Sequence, residues 1–135
     1  MEIIHNEAGL PVQITIRKPV DMHQHLRNGM MLKVVAPMVA KRFRAAIIMP
    51  NTVPPITTEL QVIRYMDEIW QATGPSFIPL TTLYLTDTLD PYHVEMPVRM
   101  GMVSGIKYYP RGLTTNSDSG VKNPASLWTP GTQPY

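Results

Sequence analysis

Four apolar, β-branched segments alternate with three helical patterns along this chain, and that alternation limits its fold more than any other feature. The β-like segments are residues 12–20, 45–49, 77–86 and 103–109. The helical patterns are residues 31–43, 58–72 and 90–100. An order βαβαβαβ predicts parallel strands joined by right-handed crossovers. Two architectures satisfy it: an open doubly wound sheet, or part of a (β/α)8 barrel. In both, chemistry collects at the carboxyl ends of the strands. No glycine-rich phosphate loop follows the first segment, which counts against a nucleotide-binding sheet.

The helices carry their own punctuation. Thr57 and Thr58 offer hydroxyl caps ahead of an early acid, Glu59. Leu60, Ile63, Met66 and Trp70 form the expected buried stripe of that helix. Asp90 reads as a cap, with Pro91 at the first helical position. Pro37 is expected to kink or divide the first helix, and Pro97 to shorten the third. Several of the fourteen prolines cluster in loops, at Pro50, Pro54 and Pro55 and again at Pro124, Pro130 and Pro134.

Polar residues recur where the strands should end. Asp21-Met22-His23-Gln24-His25-Leu26-Arg27 follows the first segment, Asn51 the second and Asp87 the third, while Lys107 lies in the fourth. Strand alternation would put Asp21, His23, His25 and Arg27 on one face. Two neutral imidazoles on one face make half of a metal site. Arginine beside them suits an anionic group through its planar fork of donors. The bland reading of His-x-His is a pair of solvated loop histidines, and the flanking Asp21 and Arg27 weigh against it. Asp21 can either orient an imidazole or cap a turn, and both readings stay open.

Lys107 interrupts an apolar strand, in Gly105-Ile106-Lys107-Tyr108-Tyr109-Pro110. A buried ammonium must be paired, snorkel or be chemically altered, and an outward-facing lysine on a strand edge is the plain alternative. A lysine whose pKa is lowered can react with carbon dioxide to give a carbamate, in effect a carboxylate. Asn51 alone is an ordinary turn residue. Thr114 and Thr115 alone are ordinary loop hydroxyls. The ten methionines follow no helical stripe and read as core filling.

Composition excludes several classes. A net charge of +2 without a basic stripe gives no case for nucleic acid. Lys41, Arg42 and Arg44 are better placed as cations closing a helix. With no cysteine, disulfides and thiolate metal sites are ruled out. Residues 1–10 contain no apolar stretch of signal-peptide length, and no apolar run nears the roughly 20 residues of a membrane span. A soluble, cytoplasmic protein is expected.

Taken together, these pieces resemble dihydroorotase, in the monofunctional bacterial and fungal branch of the amidohydrolase superfamily. The residues that carry the resemblance run in order over residues 15–120: Asp21 to Arg27, Ile48-Met49-Pro50-Asn51 with Pro54-Pro55, Leu83-Tyr84-Leu85-Thr86-Asp87, Lys107 with Tyr109-Pro110, and Thr114-Thr115-Asn116-Ser117. The resemblance implies a partial (β/α)8 barrel, the first four β/α units, so that residues 1–135 form a single incomplete domain. It implies two zinc ions, with His23 and His25 on the more buried one and Lys107 bridging both as its carbamate. Arg27 and Asn51 would hold the substrate carboxylate, and Thr114 and Thr115 would lie in a loop that closes over it. The implied reaction is the reversible cyclisation of N-carbamoyl-L-aspartate to dihydroorotate in pyrimidine synthesis. The complete protein would be a homodimer.

This sequence departs from the family pattern at Asn28, where aspartate is usual, and at Met22, where an aromatic is common. Length is the larger departure, because such a barrel takes about 250 residues. The family's two further metal-binding histidines and its proton-shuttling aspartate match nothing in this chain, and His5 and His93 fall outside the motif order. The Pro-rich stretch of residues 121–135 shows no closing helix and reads as a cut. The chain alone is therefore expected to show no appreciable turnover and to self-associate through open strand edges. Two other functions compete: a non-catalytic half-barrel serving as a binding or assembly subunit, and an amidohydrolase acting on another cyclic amide.

Overall fold

The computed structural model describes residues 1–127; the loop readings at Pro130 and Pro134 lie outside the described residues. Among the described residues, six strands and three α-helices follow in the order β1 (Glu2–His5), β2 (Pro11–Thr15), β3 (Val20–Gln24), α1 (Gly29–Arg42), β4 (Ala45–Ile48), α2 (Glu59–Thr73), β5 (Ile78–Tyr84), α3 (Tyr92–Arg99) and β6 (Gly105–Lys107). Strands β3 to β6 form one parallel sheet in the order β3-β4-β5-β6. Spatial order equals chain order, with no reversal of the kind that creates a switch point in a doubly wound sheet. Helix α2 packs against both α1 and α3, so successive helices are neighbours, as in the outer ring of a barrel. The architecture is a partial barrel wall.

The first expected strand, residues 12–20, is two strands in two sheets. β2 pairs antiparallel with β1, a strand without a clear sequence signal, and of the expected segment only Val20 belongs to the parallel sheet. Pro19, which has no N–H to give a ladder, stands at the break. The Asn6 side chain closes the β1–β2 turn by accepting from the N–H groups of Ala8 and Leu10 at 3.1 and 2.9 Å.

Helix α1 runs through Pro37 without dividing. Pro37 and Lys33, whose carbonyl loses its partner, are both exposed, so water can replace the missing bond. The helix ends on Lys41 and Arg42, and Arg42 returns a bond to the Met38 carbonyl at 3.3 Å. Helix α2 opens on a reciprocal capping box between Thr58 and Gln61. In α3 the cap falls on Pro91, one residue later than expected, and Asp90 still accepts from the Tyr92 N–H at 2.9 Å.

The buried stripe of α2 corrects the sequence reading. Val62, Tyr65 and Ile69 are buried, while Leu60, Ile63 and Trp70 remain 52%, 48% and 40% exposed. Met66 alone of the expected set packs on the core. The helix carries two apolar stripes, and periodicity cannot choose between them; the sheet chooses. Between sheet and helices lies one core, built on Leu26, Leu32, Ala36, Ile48, Ile56 and Leu83 among others. Among the described residues, no helix is long and apolar enough to cross a membrane.

Candidate metal and substrate site

Register in the sheet shifts between Asp21 and Gln24, so β3 carries an irregularity where it enters the His-x-His run. Simple alternation therefore breaks down there, as bulges near active sites commonly arrange. Asp21 uses one oxygen to accept from the His23 backbone N–H and the other from the Gln24 amide, both at 2.9 Å. It holds the irregular stretch of β3 together, and among the described residues it makes no hydrogen bond to an imidazole. Arg27 leaves the strand altogether, with φ +63 in the left-handed region. Its backbone carbonyl accepts from the buried Tyr65 hydroxyl at 2.5 Å.

Beyond the shift, His23 and His25 converge. Their Nε2 atoms stand 3.2 Å apart with the rings tilted by 47°. Two nitrogens on one tetrahedral zinc at about 2.0–2.1 Å would stand roughly 3.3–3.4 Å apart, so the pair fits a shared ion. His25 Nδ1 lies 2.8 Å from Asn51 Oδ1. Burial, followed by the charges of Arg27, His23 and Lys107, holds the His25 pKa below the ordinary imidazole value against the opposing pull of the Asn51 bond. A lowered pKa favours the neutral imidazole, the form that binds metal.

Asn51 sits 3% exposed just beyond β4. Its amide nitrogen donates to the Thr115 carbonyl at 2.9 Å, so both ends of the side chain are engaged within the protein. Lys107 is the last residue of β6, half-buried, with Nζ 5.8 Å from the centroid of the Tyr109 ring. That ring stacks on Tyr84 at 4.7 Å. Among the described residues, the buried Arg27 Nη1 atom has no hydrogen-bond partner, and neither does the buried Tyr109 hydroxyl. An unpaired guanidinium nitrogen is costly, and an anionic ligand would relieve the cost.

Thr114 and Thr115 are exposed in a loop that folds back on the strand ends. Ser117 donates to the Thr114 carbonyl at 2.6 Å and accepts from its N–H at 3.0 Å. Asn116 donates to the Asn51 carbonyl at 3.0 Å. Asp87 points to the same loop, taking the Lys122 N–H at 3.1 Å and lying 3.7 Å from the Arg111 guanidinium. The strand-end residues His23, His25, Asn51 and Lys107 thus share one end of the sheet with Arg27 and the Thr114–Thr115 loop.

No protein-family model matches the chain. It is 49% identical over 110 residues to a dihydroorotase of Jannaschia sp. (strain CCS1), a match covering 80% of this chain and 32% of that protein. This chain is homologous to part of dihydroorotase. Solved structures agree. A dihydroorotase of Saccharomyces cerevisiae, crystallised with 5-fluoroorotic acid, matches with a TM-score of 0.71 and 38% identity over 76% of this chain and 28% of that one. A dihydroorotase of Campylobacter jejuni matches with a TM-score of 0.71 and 39% identity over 78% of this chain and 31% of that one. The chain spans about a third of the length of the dihydroorotases it matches.

Against that relationship the donor set is partial. Among the described residues, no group of three or more His, Cys, Asp or Glu side chains gathers in a metal-binding arrangement. His23 and His25 fit one ion, and Lys107 adds a donor only in a deprotonated or carbamate form. Tyr84, Tyr109 and Asn116 carry no signal of a role in the sequence alone. Tyr84 and Tyr109 lay inside the dihydroorotase-like segments, but nothing in their spacing showed that they stack beside Lys107. The departure at Asn28 has a local reason: its amide donates to the Val53 carbonyl at 2.9 Å, which an aspartate could not do.

Proposed function

We propose that the protein to which this chain belongs is a cytoplasmic dihydroorotase, interconverting N-carbamoyl-L-aspartate and dihydroorotate in pyrimidine synthesis, with residues 1–135 forming the amino-terminal half of its barrel. One observation carries the reading: two imidazole Nε2 atoms 3.2 Å apart in a chain 49% identical to a dihydroorotase. His23 and His25 would hold one of two zinc ions, and Lys107, as its carbamate, would bridge to the other. When bound, the metals supply Lewis acidity toward the amide carbonyl and a water of lowered pKa.

The chain's own residues bind and orient. The Arg27 guanidinium receives the substrate carboxylate, its buried Nη1 supplying a donor that no group among the described residues uses. Asn51 borders the same acid group with its remaining N–H. Thr114 and Thr115 bring hydroxyls over the substrate from the loop. The Tyr109 ring, stacked on Tyr84, lies beside Lys107 and would shield one side of it from bulk water. Proton transfer to the leaving nitrogen falls to an aspartate outside this chain. The complete protein works as a homodimer.

A chimera tests the reading. This chain's matched segment replaces the corresponding segment of the Campylobacter jejuni dihydroorotase, and turnover is measured in both directions. Activity that is lost in Lys107→Ala and partly restored by added short carboxylates supports the proposal. A folded, zinc-loaded chimera without turnover overturns it. The chain alone should show no appreciable turnover, since general acid–base help of about 10²–10⁴-fold is missing along with the remaining metal ligands.

A further inference from the structure

We propose that Asn51 is a positioning residue that fixes the tautomer of His25 and makes it answer to the loop of residues 112–117. The inference rests on reading His25 as a metal ligand and adds how that ligand is controlled. The plain alternative, a turn asparagine, does not account for a side chain 3% exposed that bridges partners 26 and 64 residues away in sequence.

The argument begins at the loop. The Thr115 carbonyl can only accept, so the Asn51 group facing it at 2.9 Å must be the amide nitrogen. The amide orientation is then settled, and Oδ1 is the atom that meets His25 Nδ1 at 2.8 Å. An amide oxygen can only accept, so Nδ1 carries the hydrogen. In the neutral ring that leaves the lone pair on Nε2, the nitrogen directed at His23. A backbone carbonyl in the loop thereby dictates which nitrogen of His25 can bind metal.

The loop holds Asn51 twice. Asn116 donates to the Asn51 backbone carbonyl at 3.0 Å, and the Tyr84 hydroxyl donates to the Asn116 carbonyl at 3.2 Å. Ser117, buried and bonded both ways to Thr114, keeps the turn that presents the Thr115 carbonyl. If the loop departs, the Asn51 amide loses the partner that orients it. It can then rotate and offer nitrogen to His25, which favours the opposite tautomer and turns Nε2–H toward the ion. A loop poised over the substrate and a ligand poised for metal are therefore one hydrogen-bonded unit.

The test reads the tautomer directly. The full chain, labelled with ¹⁵N-histidine and free of metal, is studied by magic-angle-spinning NMR, which tolerates self-association. Cobalt(II) affinity is measured alongside by equilibrium dialysis. His93, whose Nδ1 meets Glu59 at 2.6 Å far along the chain, reports folding in every sample. Wild type should show His25 with hydrogen on Nδ1. Asn51→Ala should lose that preference and weaken cobalt binding about 10–100-fold. Asn51→Asp keeps an acceptor for Nδ1 but no donor for Thr115, so it should retain the tautomer. Ser117→Ala should erode the tautomer in the wild-type background and have no effect in the Asn51→Asp background. Hydrogen on Nε2 in wild type, or an Asn51→Ala variant with unchanged tautomer and cobalt affinity, overturns the proposal. The expected tautomer pattern without any cobalt binding supports the Asn51 link and sinks the metal-ligand reading instead.

Discussion

The Tyr65 hydroxyl donates to the Arg27 carbonyl at 2.5 Å, tying the middle of α2 to a residue held at φ +63. The bond places a left-handed, non-glycine residue, which is uncommon, next to the imidazole pair. Burial pushes the Tyr65 phenol far above its ordinary pKa, with Glu68 adding to that effect, so the hydroxyl remains a donor at all ordinary pH values. Tyr65→Phe should lower stability by about 1–3 kcal/mol, because it removes the partner of a part-buried carbonyl. Urea unfolding with an unchanged m-value checks it; an unchanged midpoint would show that the bond contributes nothing.

Arg27 itself should not tolerate lysine. Its buried Nη1 has no partner among the described residues, and a point ammonium cannot reproduce the two-donor fork. In the chimeric dihydroorotase, Arg27→Lys should raise KM more than it lowers kcat, with a loss of about 1–3 kcal/mol in substrate binding. Unchanged kinetics would remove Arg27 from the carboxylate site.

Gly120 marks a close approach of two backbone segments. A Cβ there would stand 2.3 Å from the Tyr109 carbonyl oxygen and 2.9 Å from that of Ser117. The same segment pairs with β6's exit through Val121 N–H to Tyr109 O and Arg111 N–H to Val121 O, at 2.9 and 3.1 Å. Gly120→Ala should therefore cost about 1–3 kcal/mol and release the loop, seen as faster amide exchange at Val121 and Arg111. Exchange rates equal to wild type would refute this.

Tyr109 should titrate late. Burial, reinforced by Tyr84 and opposed by Arg27, pushes its phenol up to about 12 from an ordinary value of 10. The folded state thus holds this proton more tightly than the unfolded state. Its contribution to stability is complete below pH 10 and is lost as pH rises through about 12. Absorbance at the phenolate band should show a late step that Tyr109→Phe diminishes. Phenols that all titrate together near 10 would contradict it.

Local chemistry made much of this chain legible beforehand. The hydroxyl cap at Thr58, the cationic end of α1 and the βαβ alternation of residues 45–107 all follow from short-range preferences, which act within a few residues. His-x-His was equally legible, because two side chains two positions apart share a neighbourhood whatever surrounds them. The resemblance to dihydroorotase came from five segments in order, a signal of sequence alone.

Tertiary structure decided what depends on partners distant in the chain. Which stripe of α2 is buried depended on the sheet beneath it, so Val62, Tyr65 and Ile69 displaced the expected Leu60, Ile63 and Trp70. Residues 12–20 became two strands because the hairpin partner, Glu2–His5, competed for the first part while β4 took the last. Arg27 left the strand face because its backbone turned left-handed and Tyr65 held it there. Asn51 looked like a turn residue until the fold placed His25 on one side of its amide and Thr115 on the other. Residue types and their spacing set the available chemistry; only long-range packing and hydrogen bonding determined which atoms meet.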